Sequence, residues 1–293
     1  MKIAAVVVTY NRKEYLLNNI SHLLNQENNN LDIIIIDNAS TDGTKDAIEE
    51  FIINNQVIYV NTGMNLGGAG GFNYGIKFAY ELNYDYIWIM DDDTYPYADA
   101  LNELLIADSN INDQYGFLAS VVLWKDGSLC KMNLPKFKHF NKNNNPKFKQ
   151  IIQTSFVSMF IPRNTIKNYG LPIKEFFIWG DDVEYSRRIG LNTPSYLILD
   201  SKVFHATKSN VGSNIVYDDE RLDRYKYAYR NEVYIAKHES LKRIIYQIFK
   251  VIYHILKIIV YSKSKKLEKI KLILEASYEG IKFNPKKEYI EDK

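Results

Sequence analysis

The sequence predicts an α/β fold: a mostly parallel sheet with crossover helices, extended at its carboxyl end by a helical tail. Three observations carry this. Through the first half, short β-branched apolar runs alternate with polar loops and helix-length amphipathic stretches. One of those runs, Tyr86-Ile87-Trp88-Ile89-Met90, ends in three adjacent carboxylates, Asp91-Asp92-Asp93. Beyond residue 235 the chain turns basic and takes a helical period.

Lys2 to Val8 is a short apolar run closed by turn residues and reads as the first strand; Leu31 to Ile36 and Val57 to Val60 repeat it. Each is followed by a polar loop and a helical stretch, Lys13 to Asn25, Thr44 to Ile53 and Ala69 to Leu82. Such succession implies parallel pairing with right-handed crossovers. The fourth strand, Asp85 to Met90, delivers the acids to the carboxyl edge of the sheet, where such folds open their ligand crevice. Farther on, Phe117 to Trp124 and Ser128 to Met132 flank Asp126-Gly127 and predict a hairpin. Asn141 to Lys149 reads as an exposed loop and Gln153 to Ile161 as a strand. Asp181 to Ile189 reads as a short helix whose leading acids suit its amino-terminal dipole. Tyr196 to Leu199 is a further strand, and Thr207 to Asp219 a polar segment of lid length. In Ile244 to Tyr261, Gln247, Lys250, His254 and Lys257 recur at intervals of three and four, a narrow polar stripe on an apolar helix. Lysines 263, 265, 266, 269 and 271 follow. A wide apolar face with cationic edges suits a helix lying in an anionic membrane interface; packing on the protein body or a second subunit is the other reading.

Composition narrows the class. The 293 residues are 46% hydrophobic and 14% aromatic, enough for a full core and unlike a disordered or fibrous chain. The net charge of +2 hides an asymmetry: residues 237–293 hold 14 Lys/Arg against 7 Asp/Glu, leaving the rest net negative. Cys130 is the single cysteine, which excludes an intramolecular disulfide and a Cys-rich zinc site and fits a reducing cytoplasm. The apolar run Ile3 to Val8 is too short for a signal peptide, and no stretch reaches 18 uninterrupted apolar residues, which argues against a membrane span.

Five features then fall in one order. Thr9-Tyr10-Asn11-Arg12 follows the first strand. Asp37-Asn38-Ala39-Ser40-Thr41-Asp42 follows the second, with carboxylate and amide groups suited to a base and ribose. Asn65-Leu66-Gly67-Gly68-Ala69-Gly70-Gly71-Phe72 precedes a helix, where glycines admit close backbone approach and the helix amino terminus favours phosphate. It is neither a P-loop nor a dinucleotide fingerprint. Asp91-Asp92-Asp93 comes fourth, a cluster that persists cheaply only in water or around a hard cation. Trp179-Gly180-Asp181-Asp182-Val183-Glu184 is fifth, with His205 later as a neutral imidazole suited to the same metal. Singly, each has a plainer reading: a solvated acidic turn, a glycine turn, a histidine that needs no metal.

As a set, these motifs resemble the family 2 inverting glycosyltransferases of the GT-A fold, with its mostly parallel, Rossmann-like nucleotide-binding sheet. The Gly-Gly-Ala-Gly-Gly-Phe run and Tyr227-Ala228-Tyr229-Arg230-Asn231 are similar to bacterial galactofuranosyltransferases and related rhamnosyltransferases. The resemblance covers residues 2–235. It implies metal ligation (Mn²⁺ or Mg²⁺) by Asp91, Asp93 and His205, and Asp92 facing the donor sugar. It implies Asp182 as the base that deprotonates the acceptor hydroxyl, with Glu184 as the competing candidate. Asp181 and Trp179 would shape the sugar and acceptor pocket, and Thr9, Arg12, Asp37 and Asn65 would contact the nucleotide. Tyr227, Tyr229, Arg230 and Asn231 serve either substrate or helix packing. The longer, polymerising members carry an amino-terminal β domain that does not precede the first strand here, an expectation against processive transfer.

The expected domains are therefore a catalytic unit at 1–235 and a basic amphipathic tail at 236–293. The expected activity is metal-dependent, inverting transfer of galactofuranose from UDP-galactofuranose, or of rhamnose from dTDP-rhamnose, to a glycan or lipid-linked acceptor in cell-surface glycan synthesis. The expected place is the cytoplasm, peripheral on the inner face of the plasma membrane, with no nucleic-acid partner and a homo-oligomer left open. A sugar nucleotidyltransferase is a competing class, but the loop Thr9 to Lys13 lacks the glycines of its phosphate loop. A non-catalytic membrane scaffold is the third, against which Asp91, Asp93, Asp182 and His205 stand intact.

Overall fold

The computed structural model describes residues 1–111, 114–138 and 146–291. Its first half follows the expected alternation: β1 (Ile3–Thr9), α1 (Lys13–Leu24), β2 (Asp32–Asp37), α2 (Thr44–Ala47), α3 (Glu49–Ile53), β3 (Ile58–Asn61), α4 (Gly67–Glu81) and β4 (Tyr86–Asp91). β1 pairs in parallel with both β2 and β4, and β2 with β3. β1 is buried along its whole length and β2 from Ile33 onward, as a sheet covered on both faces requires. Ala5, Val7, Ile35 and Trp88 face one core with α1; Ala4, Val6, Ile34 and Ile89 face the other with α4. The helical stretch expected at 44–53 is two short helices meeting at Ile48, which is fully buried.

The second half completes the sheet with β5 (Thr94–Pro96), α5 (Ala100–Ile111), β6 (Leu118–Leu123), β7 (Lys136–Phe137), β8 (Phe148–Gln153), β9 (Met159–Pro162), α6 (Arg163–Tyr169), α7 (Asp181–Gly190) and β10 (Ser195–His205). The strand order is β3-β2-β1-β4-β9-β6-β10-β8-β7, with β5 pairing β10 off this path. The expected hairpin shrinks to a bridge between Leu123 and Leu129 around a turn at Gly127, φ +79°. The strand expected at 153–161 forms only from Met159, since residues 154–158 leave the sheet after β8. Of the loop expected at 141–149, residues 141–145 lie outside the described residues, and Phe148 onward is strand.

Three helices end the chain: α8 (Leu222–Glu239), α9 (Leu241–Tyr261) and α10 (Lys266–Lys282). α8 runs unbroken through position 235 and carries both neighbours, its Tyr225 and Tyr229 packing with Ile258 of α9 and Ile273 of α10. After α10 the chain returns to the sheet body, where Leu171 N donates to the Glu288 carbonyl at 2.8 Å. α9 has 21 residues and, over an 18-residue window, a mean hydropathy of 1.6, long and apolar enough by those measures to cross a membrane. Scattered polar residues hide this from a search for uninterrupted apolar runs.

Candidate active site

The strands decide which side chains meet. Thr9 and Asp91 end the adjacent strands β1 and β4, and the chain then turns through Asp92 and Asp93 into β5. β5 pairs antiparallel with the end of β10, Thr94 opposite His205, and Ala206 N donates to the Asp93 carbonyl at 2.8 Å. A histidine more than a hundred residues downstream is thereby fixed beside the triple acid. Ligand atoms of Asp91, Asp93 and His205 all lie within 4.8 Å of one another. His205 Nδ1 donates to Asn133 Oδ1 at 2.8 Å, an acceptor that fixes the tautomer and turns Nε2 toward Asp93 Oδ1 at 3.2 Å. Asn133 lies in a 3₁₀ turn, and nothing local in the sequence marks it.

These residues fit a divalent ion. Asp93 Oδ1 is buried and meets only the His205 ring nitrogen, at 3.2 Å, within a cluster of two carboxylates and one imidazole. The electrostatics agree. Burial and the neighbouring Asp93 charge push the Asp91 carboxyl up to about 6. Burial alone would depress His205, but contact with Asp93 and Cys130 and the charges of Asp93 and Asp91 carry it up to about 10. Burial opposes ionisation of Asp93 too, and the His205 and Arg12 contacts overcome it, holding that group at about 2. A positive charge is wanted at this point, and a proton on Nε2 supplies what a metal would.

Arg12 and Asp92 form the floor of the cluster. Asp92 is 2% exposed; Thr9 Oγ1 donates to its Oδ2 at 2.8 Å and Arg12 Nη1 reaches its Oδ1 at 3.0 Å. Arg12 Nη2 reaches Asp93 Oδ2 at 2.7 Å. Burial works against the Arg12 charge, yet Asp92 and Asp93 outweigh it and raise its pKa. Burial pushes Asp92 up to about 8, with Arg12 pulling the other way. Expected to face the sugar, Asp92 instead spends both oxygens on protein groups, and Arg12, expected on the nucleotide, braces the acids. Asp37 is buried, accepting from Ser40 N at 2.8 Å and Tyr59 Oη at 2.7 Å. Asn65 is exposed and caps a turn, its Oδ1 accepting from Gly67 N at 2.9 Å.

The glycine run brings protein against protein at several positions, while Gly68 faces open space. Its helix starts at Gly67, φ +70°, where a Cβ would collide with the Phe177 carbonyl, and Ala69 N donates to that same oxygen at 3.1 Å. Gly71 and Gly75 lie against Val8 and Val6 of β1, where a Cβ would come within 2.5 Å of each side chain. The close approach these glycines permit is of protein to protein: α4 to the sheet, and its first turn to the loop before α7.

That loop is the strained part of the site. Phe177 and Trp179 both have positive φ, +63° and +62°, followed by Gly180 at +90°. For two bulky residues this is costly backbone and needs outside support. Asn231 Nδ2 supplies it, donating to the carbonyls of Phe176 at 3.0 Å, Ile178 at 3.3 Å and Trp179 at 2.7 Å. Arg230 Nη2 donates to Glu175 O at 2.6 Å. The two readings open for Arg230 and Asn231 thus give way to a third, a clamp on the loop backbone. Tyr229 packs on α9, its hydroxyl 2.6 Å from His254 Nδ1, and the Tyr227 ring lies tilted against Phe177 with centroids 5.0 Å apart.

The clamped loop presents α7. Glu184 is buried in an ion pair with Arg188 at 2.8 Å, and Arg188 in turn donates to the carbonyls of Tyr169 and Leu171. Asp182 is half-buried, bonded through Oδ1 to the Val183 N–H, and no cation neutralises it among the described residues. Burial pushes its carboxyl up to about 6, and burial with the Asp182 charge pushes Asp181 well above the usual range. Asp91 feels the charge of Asp182, so α7 starts within electrostatic reach of the triple acid. A paired Glu184 and an unpaired Asp182 are ready for different tasks.

Comparison with known proteins agrees with this geometry. Residues 4–163 match a family model described as glycosyl transferase family 2. Galactofuranosyltransferase GlfT1 of Mycolicibacterium smegmatis is 24% identical over 273 residues, covering 84% of this chain and 86% of that protein. Staphylococcus aureus TarS 1–349 in complex with UDP superposes with a TM-score of 0.58 at 18% identity, over 97% of this chain and 72% of that one. GalNAc-T7 with UDP, GalNAc and Mn²⁺ gives 0.65 at 13% identity, over 94% and 54%. At such identities the two structures speak for the fold alone.

Proposed function

The chain belongs to glycosyltransferase family 2, and from that premise we propose that it transfers galactofuranose, with inversion, from UDP-galactofuranose to a hydroxyl of a glycan or lipid-linked acceptor in cell-surface glycan synthesis. The observation that carries the transfer step is Asp182: a carboxylate held near pKa 6, with no cationic partner among the described residues, within electrostatic reach of the cluster of Asp91, Asp93 and His205. The galactofuranosyl preference rests on similarity to a galactofuranosyltransferase over 84% of this chain and 86% of that protein. In this reading residues 1–235 do the chemistry and 236–293 serve location, on the cytoplasmic face of the membrane.

Asp182 takes the proton of the acceptor hydroxyl while that oxygen bonds to the anomeric carbon. The bond from that carbon to the diphosphate breaks on the opposite face, its electron pair leaving with UDP, so configuration inverts in one displacement. A Mn²⁺ or Mg²⁺ ion held by Asp91, Asp93 and His205 would supply charge neutralisation for the leaving diphosphate. Arg12, fixed by Asp92, keeps Asp93 ionised and ready for the ion. Thr9, Asp37 and Asn65 rim the nucleotide side. Asp181 and Trp179 shape the sugar side, with Glu184 holding Arg188 behind them.

The test is transfer from UDP-galactofuranose and from dTDP-rhamnose, each with and without Mn²⁺, alongside calorimetric binding of UDP and dTDP. Metal-dependent UDP binding and turnover of the galactofuranosyl donor are expected. Preference for dTDP would move the assignment to rhamnosyl transfer, and binding of neither would return the scaffold reading.

A further inference from the structure

α9 is an amphipathic helix mounted inside out. Its polar stripe faces the protein: Lys250 Nζ pairs with Glu232 at 2.5 Å, Gln247 donates to the same carboxylate at 3.2 Å, and His254 meets the Tyr229 hydroxyl at 2.6 Å. Its apolar side faces out. Ile245, Phe249, Ile252, Leu256, Ile259 and Val260 are all exposed, Phe249 and Val260 to 67%. Tyr246, Tyr253 and Tyr261 stand exposed along the same surface. So much contiguous apolar area on water marks an interaction surface.

Charge identifies the occupant. No acidic residue occurs between Glu239 and Glu268, while Lys242, Lys263, Lys265 and Lys266 are exposed at the two ends of the helix. A second copy of the chain meeting this face about a two-fold axis would oppose cations to cations, with no acid on α9 to pair them. The exposed face is also broader than a two-residue coiled-coil seam, since Tyr246, Ile248 and Tyr253 widen it. An anionic lipid surface satisfies both features: hydrocarbon takes the apolar face, tyrosines suit the headgroup level and lysines meet the phosphates.

We propose that the outer face of α9 docks the protein on an anionic bilayer, the helix lying in the interface and not crossing it. Length and hydropathy alone would permit a span, but its inner stripe is bonded to α8, and Val251, Ile255 and Ile258 share a core with Tyr225, Tyr229 and Trp179. Lipid cannot surround the helix without dismantling that core. Docking on α9 thus seats the membrane against the same small core that carries Trp179 of the strained loop.

The test uses the full chain and vesicles of phosphatidylcholine with or without phosphatidylglycerol. Wild type should float with the anionic vesicles, weakly with neutral ones, and less as salt rises. Phe249→Asp/Val260→Asp should lower partition by more than about tenfold. Lys242→Gln and Lys263→Gln should each lower it by about fivefold. UDP binding by calorimetry should be unchanged in every variant, which separates lost docking from lost folding and from any failure of the transfer reading. Wild type that ignores anionic vesicles overturns the proposal, as does a Phe249→Asp/Val260→Asp protein that still floats. So does a stable wild-type dimer in sedimentation that this double variant dissociates, since the face would then belong to a second copy. Membrane-bound protein that resists both high salt and alkaline carbonate would show a span in place of interfacial docking.

Discussion

Two carboxylates two residues apart on one helix point to different sides of it and need not share a role, and α7 shows why. Glu184 is neutralised by Arg188, whereas Asp182 has only a backbone N–H to oppose the cost of burial. A base at about 6 is ionised at neutral pH yet basic enough to accept a proton as the acceptor oxygen attacks. Asp182→Asn should lower kcat by about 10²–10⁴-fold, with UDP affinity near wild type. For the wild type, kcat/KM should fall about tenfold per pH unit below 6 and level off above it, because protonation removes the base. Measuring both profiles checks the assignment. Full activity in the variant would move the base elsewhere, and an acid limb retained in it would belong to another group. The acids themselves were legible in the sequence because their clustering is expensive without a purpose; Asn133, which sets the His205 tautomer from 72 residues away, was not, since one asparagine in a turn has no pattern.

At the level of elements, strands β1, β2 and β4 are legible because parallel strands buried on both faces read as unbroken apolar runs, and β3, an edge strand only partly buried, is legible by its short β-branched run. β5 and β7 are three and two residues long, too short to show a period, and they were missed. The glycine run is legible, but the protein contacts at Gly67 and Gly71 are not, because glycine marks close approach without saying what approaches. Gly67 and Gly43 separate the two meanings. Both have positive φ, +70° and +81°, but a Cβ at Gly43 meets nothing within 4 Å, while at Gly67 it strikes the Phe177 carbonyl. Gly43→Ala should therefore cost only backbone strain, about 1 kcal/mol in urea unfolding. Gly67→Ala should cost about 1–3 kcal/mol more and slow transfer, since the displaced loop carries Trp179 and leads into Asp182. Equal stability and equal turnover in the two variants would mean that α4 and the loop are not mechanically joined.

The whole molecule adds what no local pattern contains: the order of strands, and the direction in which α9 faces. A helical period reveals a polar stripe and an apolar face, but which of them meets the body depends on Glu232 and Tyr229 of α8, known only after packing. The same holds for the end of the chain. Residues after α10 return to the sheet body, where Glu288 pairs with Lys77 at 2.8 Å and Lys174 at 3.4 Å, its carbonyl accepts from Leu171 N, and Ile290 packs on the α4 side of the sheet. This closing strap ties the tail helices to α4 and to the chain leading into the strained loop. The ion pairs are exposed and contribute little, so Glu288→Gln should cost under about 1 kcal/mol. Ending the chain at Phe283 also removes the backbone bond and the Ile290 contact, and should cost about 1–3 kcal/mol. Urea titration of both proteins decides between them: if the shortened chain is no less stable than Glu288→Gln, the strap works through its charges alone, and the backbone bond and apolar contact add nothing measurable.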